Sequence, residues 1–251
     1  MTRKNLRLLM LSLCIAAPLS GHAACKSSMI QGHYGFTSKA TSTAGVIVTG
    51  LSRVDFMANG KVSENYFVNT TTTSYEASSL GTYSVSSDCK FSMNVQDSTG
   101  KPYGLTGRVN PLTREIAVLE TNSGSADVST AVMYPVGLDF CTDQRFSGRY
   151  AFISQGIVPA STGSSQRVPE SRLGWFTADQ DNLNQPVQLI NLNGVVSESA
   201  PTVIPKTTLD SCLVNLSNSQ FIGVIVEKGA RVLYMDLSPG SNRTGVMLKV
   251  R

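Results

Sequence analysis

The chain has 251 residues, of which 41% are apolar, 15% charged and 7% aromatic, a composition that excludes collagen-like and highly charged disordered classes and allows one or two packed domains. Its formal charge is +4, but Arg3, Lys4 and Arg7 lie in a stretch that reads as a removable leader, and without them 18 basic side chains face 17 acidic ones. A near-neutral mature chain lacks the clustered cations that nucleic acid requires, so no nucleic-acid partner is expected.

Residues 1–24 have the form of a secretory signal: a basic start, an apolar run from Leu8 to Pro18, and then Ser20, Gly21, His22, Ala23 and Ala24. That run falls short of the roughly 20 residues that cross a bilayer, and no later stretch is longer, so the chain is not expected to span a membrane. Cleavage after Ala23 or Ala24 predicts a mature start at Ala24 or Cys25 and export to the periplasm or beyond the cell. A cysteine at that boundary raises lipid anchoring at Cys25 as an alternative, weakened because His22 stands where a leucine-like residue is usual.

Past the leader the pattern is β throughout. Short runs of Val, Ile, Thr, Tyr and Phe alternate with Gly, Asn, Ser and Pro, the all-β signature. In residues 25–138 strands are predicted near 31–37, 45–50, 52–57, 61–68, 80–86, 90–96, 103–109, 115–121 and 127–134. In residues 139–251 they are predicted near 147–153, 172–177, 187–191, 195–199, 207–217, 221–227, 231–237 and 244–250. Asn59-Gly60 and Asn193-Gly194 suit two-residue hairpin turns, where both positions take positive φ. In Gly32-His33-Tyr34-Gly35-Phe36 the period of two puts Tyr34 and Phe36 on one face, read as core, and His33 on the other, read as solvated. Gly32 suggests a close backbone approach or a bend.

The opening recurs 116 residues later: Cys25, Gly32, Tyr34 and Phe36 return as Cys141, Gly148, Tyr150 and Phe152, with Arg149 where His33 stands. Three further landmarks keep the same order. Asn59-Gly60-Lys61-Val62-Ser63-Glu64 matches Asn193-Gly194-Val195-Val196-Ser197-Glu198, Cys89 matches Cys212, and Glu120 and Gly124 match Asp236 and Gly240. This predicts a tandem duplication. Repeat 2 then gains 18 residues before its Asn-Gly turn, assigned to a turn-rich surface excursion over 155–165.

With Cys14 in the leader, Cys25, Cys89, Cys141 and Cys212 remain, an even number in an exported chain with three possible pairings. Duplication selects Cys25 with Cys89 and Cys141 with Cys212, one per repeat, each worth about 4 kcal/mol in the chain-entropy model. A structural metal is not expected, since no Cys-x-x-Cys occurs and His33 is the mature chain's one histidine.

The opening Cys-x6-Gly-x-Tyr-x-Phe, the Asn-Gly hairpin and the second cysteine after an Asp-containing turn, as in Ser87-Asp88-Cys89, resemble a loose group of uncharacterised exported bacterial proteins. The resemblance covers both halves through four short landmarks in each. It implies a calycin-like or allene-oxide-cyclase-like small antiparallel β-barrel per repeat, residues 25–138 and 139–251, and implies no catalytic residues. One joint β-sandwich built from both halves is the alternative fold.

No catalytic constellation, cofactor motif or metal set emerges. A serine hydrolase would need a histidine base and a Gly-x-Ser-x-Gly elbow, which is missing. Ser98-Thr99-Gly100-Lys101 lacks the first glycine of a phosphate loop, and Ser87 and Lys90 flank a cysteine assigned to a cross-link. The repeated acids, Glu64 with Glu198 and Glu120 with Asp236, read as shared structure. Residues that differ between the copies are the better candidates for ligand contact: Trp175, Phe176 and Arg172 in repeat 2, and Tyr66 and Phe67 in repeat 1. The expectation is an exported, non-enzymatic binding or interaction protein whose partner is a small apolar molecule, a glycan or an envelope protein. The alternative is a small-barrel isomerase or cyclase acting on an apolar substrate.

Overall fold

A computed structural model describes residues 24–41, 46–70, 72–121, 129–137, 146–161, 164–209 and 212–250. The leader, Cys14 and Cys141 lie outside the described residues. Eight antiparallel strands form the first half: β1 (Gly32–Thr41), β2 (Ile47–Phe56), β3 (Lys61–Asn69), β4 (Ser74–Val85), β5 (Lys90–Asp97), β6 (Pro102–Val109), β7 (Ile116–Thr121) and β8 (Thr130–Gly137). Each pairs with the next, and β8 returns to β1 to close a barrel. Closure removes the exposed edges that a sheet of this size would otherwise leave.

The second half repeats that circuit with β9 (Gly148–Pro159), β10 (Arg167–Ala178), β11 (Asn182–Leu192), β12 (Val195–Glu198), β13 (Thr202–Thr208), β14 (Leu213–Leu216), β15 (Phe221–Val226), β16 (Arg231–Asp236) and β17 (Thr244–Lys249). It too closes, through β10 pairing with both β9 and β11 and β17 returning to β9. Both β12 and β13 pair with β11, as the single strand β4 pairs with β3. They are one strand broken at Ser199-Ala200-Pro201, where Pro201 cannot donate to a ladder. Two closed barrels in tandem are therefore the fold, not one joint sandwich.

Alternation fills each lumen at one end. In the first barrel Tyr34, Phe56, Tyr83 and Phe91 interlock there, with Ile30, from a 3-10 turn at Ser27–Ile30, packed in the same cluster. A disulfide from Cys25 to Cys89 ties that segment to the barrel. In the second barrel Phe146, Tyr150 and Phe176 do the same, Tyr150 and Phe176 stacked at 5.5 Å. Burial raises the Tyr150 phenol to about 12, and its hydroxyl donates to the Gly229 carbonyl at 2.7 Å. Cys212 is also disulfide-bonded. Cys89 and Cys212 both sit at positive φ, 65° and 63°, and each carbonyl accepts a bond from the barrel's sixth strand, from Val109 and Ile225 respectively.

Several strand expectations need correction. The strands predicted at 45–50 and 52–57 are one continuous β2, and the one predicted at 207–217 falls on two strands, the end of β13 and β14. Residues 155–159, assigned to a loop, continue β9. Asn59-Gly60 closes β2 onto β3, whereas Asn193-Gly194 closes β11 onto β12, so these turns are not equivalent. The 18-residue gain followed from matching them. Gly32 and Gly148 open their barrels at φ of 115° and 97°, conformations glycine alone adopts freely. At Gly148 an added Cβ would meet only the Lys249 side chain, at 3.4 Å, so conformation rather than close approach requires it. His33 lies on the outer face, joined to Asp55, which Arg53 also holds at 3.1 Å.

The barrels pack side by side. Leu51, Phe67 and Val136 of the first share one core with Val224, Val226, Leu233 and Met235 of the second. Gly35 permits the contact, because a Cβ there would lie 2.6 Å from Val224. Polar bonds border it: Asn69 Nδ2 donates to the Asp236 carbonyl at 2.6 Å and to that of Ser241, and Asn242 Nδ2 donates to the Ile47 carbonyl at 2.8 Å.

Candidate ligand cavities in the barrels

The ends of the lumens away from the aromatic clusters are less filled, and the two copies have diverged there. Register makes the comparison direct. Glu64 stands across from Ser79, and Gln185 stands across from Thr202. Leu105 stands across from Glu120, and Phe221 across from Asp236. Glu64 and Gln185 are thus counterparts, as are Glu120 and Asp236. Glu198, matched to Glu64 by sequence, is exposed on β12.

In the second barrel a cavity of about 200 Å³ is walled by Phe152, Phe176, Leu183, Ile204, Leu216, Phe221 and Met247, with Arg172, Gln185, Tyr234 and Arg243 among them. Alternation along β10 sends Glu170, Arg172 and Phe176 inward together. Arg172 grips Glu170 with two bonds, at 2.7 and 3.1 Å. Arg243 bonds the same carboxylate through Nη1 and reaches Asp236 through Nη2 at 2.6 Å. Ser241 Oγ donates to Asp236 at 2.7 Å, and the Ser238 amide donates to it at 2.8 Å. Burial pushes the Glu170 carboxyl up, but the hydrogen bond from Arg172 and the charges of Arg243 and Arg172 outweigh it and hold the group below its ordinary value. The four charges form a closed, neutral chain. Gln185 is different: it is 6% exposed, and its amide Nε2 has no hydrogen-bond partner among the described residues.

In the first barrel the corresponding space, about 320 Å³, is lined by Glu64, Tyr66, Tyr103 and Glu120 among Phe36, Val48, Val68 and Leu105. Ser79 Oγ donates to Glu64 at 3.1 Å, and the Tyr103 hydroxyl donates to the same oxygen. Burial pushes the Glu64 carboxyl above its ordinary value, against the hydrogen bonds of Tyr103, Ser52 and Ser79. Burial, then Asp97 and Glu64, raises the Tyr66 phenol to about 12. Burial and then the Glu64 charge raise Tyr103 as well. Glu120 accepts a bond from Ser129 at 2.6 Å.

Of the residues singled out from sequence, Arg172 and Phe176 meet in the second cavity and Tyr66 lines the first. Phe67 points outward into the core between the barrels. Trp175 lies on the outer face of the second barrel, half exposed, with Arg149 over its ring at 4.9 Å. It belongs to an apolar surface with Ile153, Leu173, Val187, Leu189 and Leu248. Part of that surface enters a cleft of about 1210 Å³ between the barrels, faced by Leu119, Val132 and Tyr134. Sequence reasoning missed Gln185, Glu170 and Arg243. For Glu170 and Gln185 the available signal was the inward parity each shares with a neighbour on its own strand, Arg172 on β10 and Leu183 on β11. Among the described residues no cluster of His, Cys, Asp and Glu could hold a metal, and no helix is long and apolar enough to cross a membrane.

No family model matches the chain, and no curated protein matches it. Among solved structures, a “putative AttH” from Nitrosomonas europaea is similar at 8% identity and a TM-score of 0.29, over 94% of this chain and 98% of that one. The β domain of the Bordetella autotransporter BrkA is similar at 12% identity and a TM-score of 0.18, over 87% of this chain and 98% of that one. At these scores neither likeness carries an argument about this protein.

Proposed function

We propose that the protein is an exported, non-enzymatic binding protein that holds a small molecule in the mouth of its second barrel. One observation carries this reading: the buried, unpartnered amide of Gln185 in an apolar-walled cavity. Leaving such a donor unsatisfied costs about 1–3 kcal/mol, and a ligand acceptor would relieve it. Apolar walls with a few converging polar groups are the usual form of a small-molecule site. The charged side chains that line that cavity, Arg172 and Arg243, are paired with Glu170 and Asp236, which suits holding a ligand better than moving a proton. Because the Cys25 sulfur is bonded to Cys89, the reading favours a freely exported protein over one acylated at Cys25. Saturation-transfer NMR of the purified protein with a library of single-ring compounds tests it. Bound compounds whose signals weaken on Phe221→Trp, which fills the cavity, support the reading; binding indifferent to that change removes it.

A second reading rests on Glu64. Burial disfavours the ionised form of the Glu64 carboxyl, which suits a proton donor, and with Tyr103 beside it the first barrel could isomerise or cyclise an apolar substrate. Conversion of host lipid extract by the wild type and not by Glu64→Gln would favour this reading.

A further inference from the structure

Gln185 Nε2 is a buried donor without a partner among the described residues. Arg172, in the same lining, spends Nε and Nη2 on Glu170. Both side chains line the second cavity. What the Gln185 amide lacks is an acceptor.

Charge narrows the choice. Arg172 and Arg243 are balanced by Glu170 and Asp236. A carboxylate ligand would bring a net negative charge into a space walled by Phe, Leu and Met, and an ammonium would bring a positive one beside two guanidiniums. Either burial is costly without a partner ion. Size narrows it further, since an apolar cavity of about 150 Å³ takes benzene and this one is about 200 Å³.

The first barrel shows that the unpartnered amide is a divergence from a satisfied position. There Glu64 is satisfied by Ser79 and Tyr103. Counting back equally from Val109 and Ile225, which make the same bond in each copy, Tyr103 corresponds to Ser219, in the turn before β15. The second copy has therefore lost the hydroxyl that bonded the residue at this position, while Phe221 stands where the first copy has Leu105. We infer that the second cavity selects an uncharged molecule, a single ring with a short arm ending in a carbonyl oxygen, which accepts from Gln185 Nε2.

This inference rests on the binding reading above, and the test separates the two. The isotope-labelled protein is titrated with propiophenone, 3-phenylpropanoate, phenethylamine and propylbenzene while the Gln185 side-chain amide and the Met247 methyl are followed by NMR. The expected result is propiophenone binding at least tenfold more tightly than the other three and shifting the Gln185 amide. Gln185→Leu and Gln185→Met should lose that tenfold advantage over propylbenzene. The wild-type ranking decides even if a variant fails to fold. Tighter binding of either charged probe, or equal binding of propylbenzene, overturns the acceptor inference and leaves the binding reading standing. No shift of Met247 with any probe removes both.

Discussion

Arg243→Met would test the neutral charge chain on which the second cavity depends. Arg243 is 4% exposed and, among the described residues, is the one side chain that bridges Glu170 and Asp236. Removing it leaves Asp236 with Ser241 and the Ser238 amide, and leaves Glu170 with Arg172 alone. Breaking a buried pair in this way costs about 3–5 kcal/mol, because the remaining charges stay buried. At about 2–4 °C per kcal/mol for a chain of this size, the midpoint should fall by about 6–20 °C. Thermal unfolding followed by circular dichroism measures it. The deficit should also depend on pH with a definite sign. Glu170 is held below its ordinary 4.5 in the folded wild type, so its contribution is present above that value and is lost as pH falls through the folded one. The gap between wild type and variant must therefore narrow in acid. A loss below about 1 kcal/mol, or a gap that ignores pH, refutes the reasoning.

Glu64→Gln should act in the opposite sense. Burial raises the Glu64 carboxyl above 4.5, so the stability linked to it is full below 4.5 and is lost as pH rises through the folded value. The variant should melt close to wild type at pH 4 and above it at pH 8, as read by calorimetry; a variant less stable at both contradicts the assignment. Asn69→Ala strips the Asp236 and Ser241 carbonyls of their shared donor and should cost about 1–3 kcal/mol in urea unfolding. Gly81→Ala would place a Cβ 1.9 Å from the Asn94 carbonyl oxygen; soluble yield should collapse, and a variant that melts like wild type would show the strand crossing is looser than described.

What could be read from sequence was what both copies had kept for the same structural reason. Tyr34 with Phe36 and Tyr150 with Phe152 repeat because both barrels pack aromatic rings at one end of the lumen, and Cys89 repeats as Cys212 because both turns need the same staple. The Asn-Gly match misled because that dipeptide reports only a local preference for positive φ. It serves any tight hairpin, and here it serves different hairpins in the two copies. The contact between barrels left a trace that went unread. Phe221-Ile222-Gly223-Val224-Ile225-Val226 is apolar on both parities, because one face fills the lumen and the other meets Gly35 and its neighbours. Its counterpart, β6, alternates. The cavity was least legible. Trp175 drew attention as the sole tryptophan but faces outward, whereas Gln185 looks ordinary until its partner strands are known. Only register shows that it stands where the other copy has a satisfied glutamate.

The central claim, that the second barrel carries a small uncharged molecule, is met most directly by native mass spectrometry of the protein purified from its own host. A non-covalent adduct of low mass is expected on the wild type, released as a neutral species on activation and absent from Gln185→Leu. An adduct released as an ion, or one retained undiminished by Gln185→Leu, would contradict it.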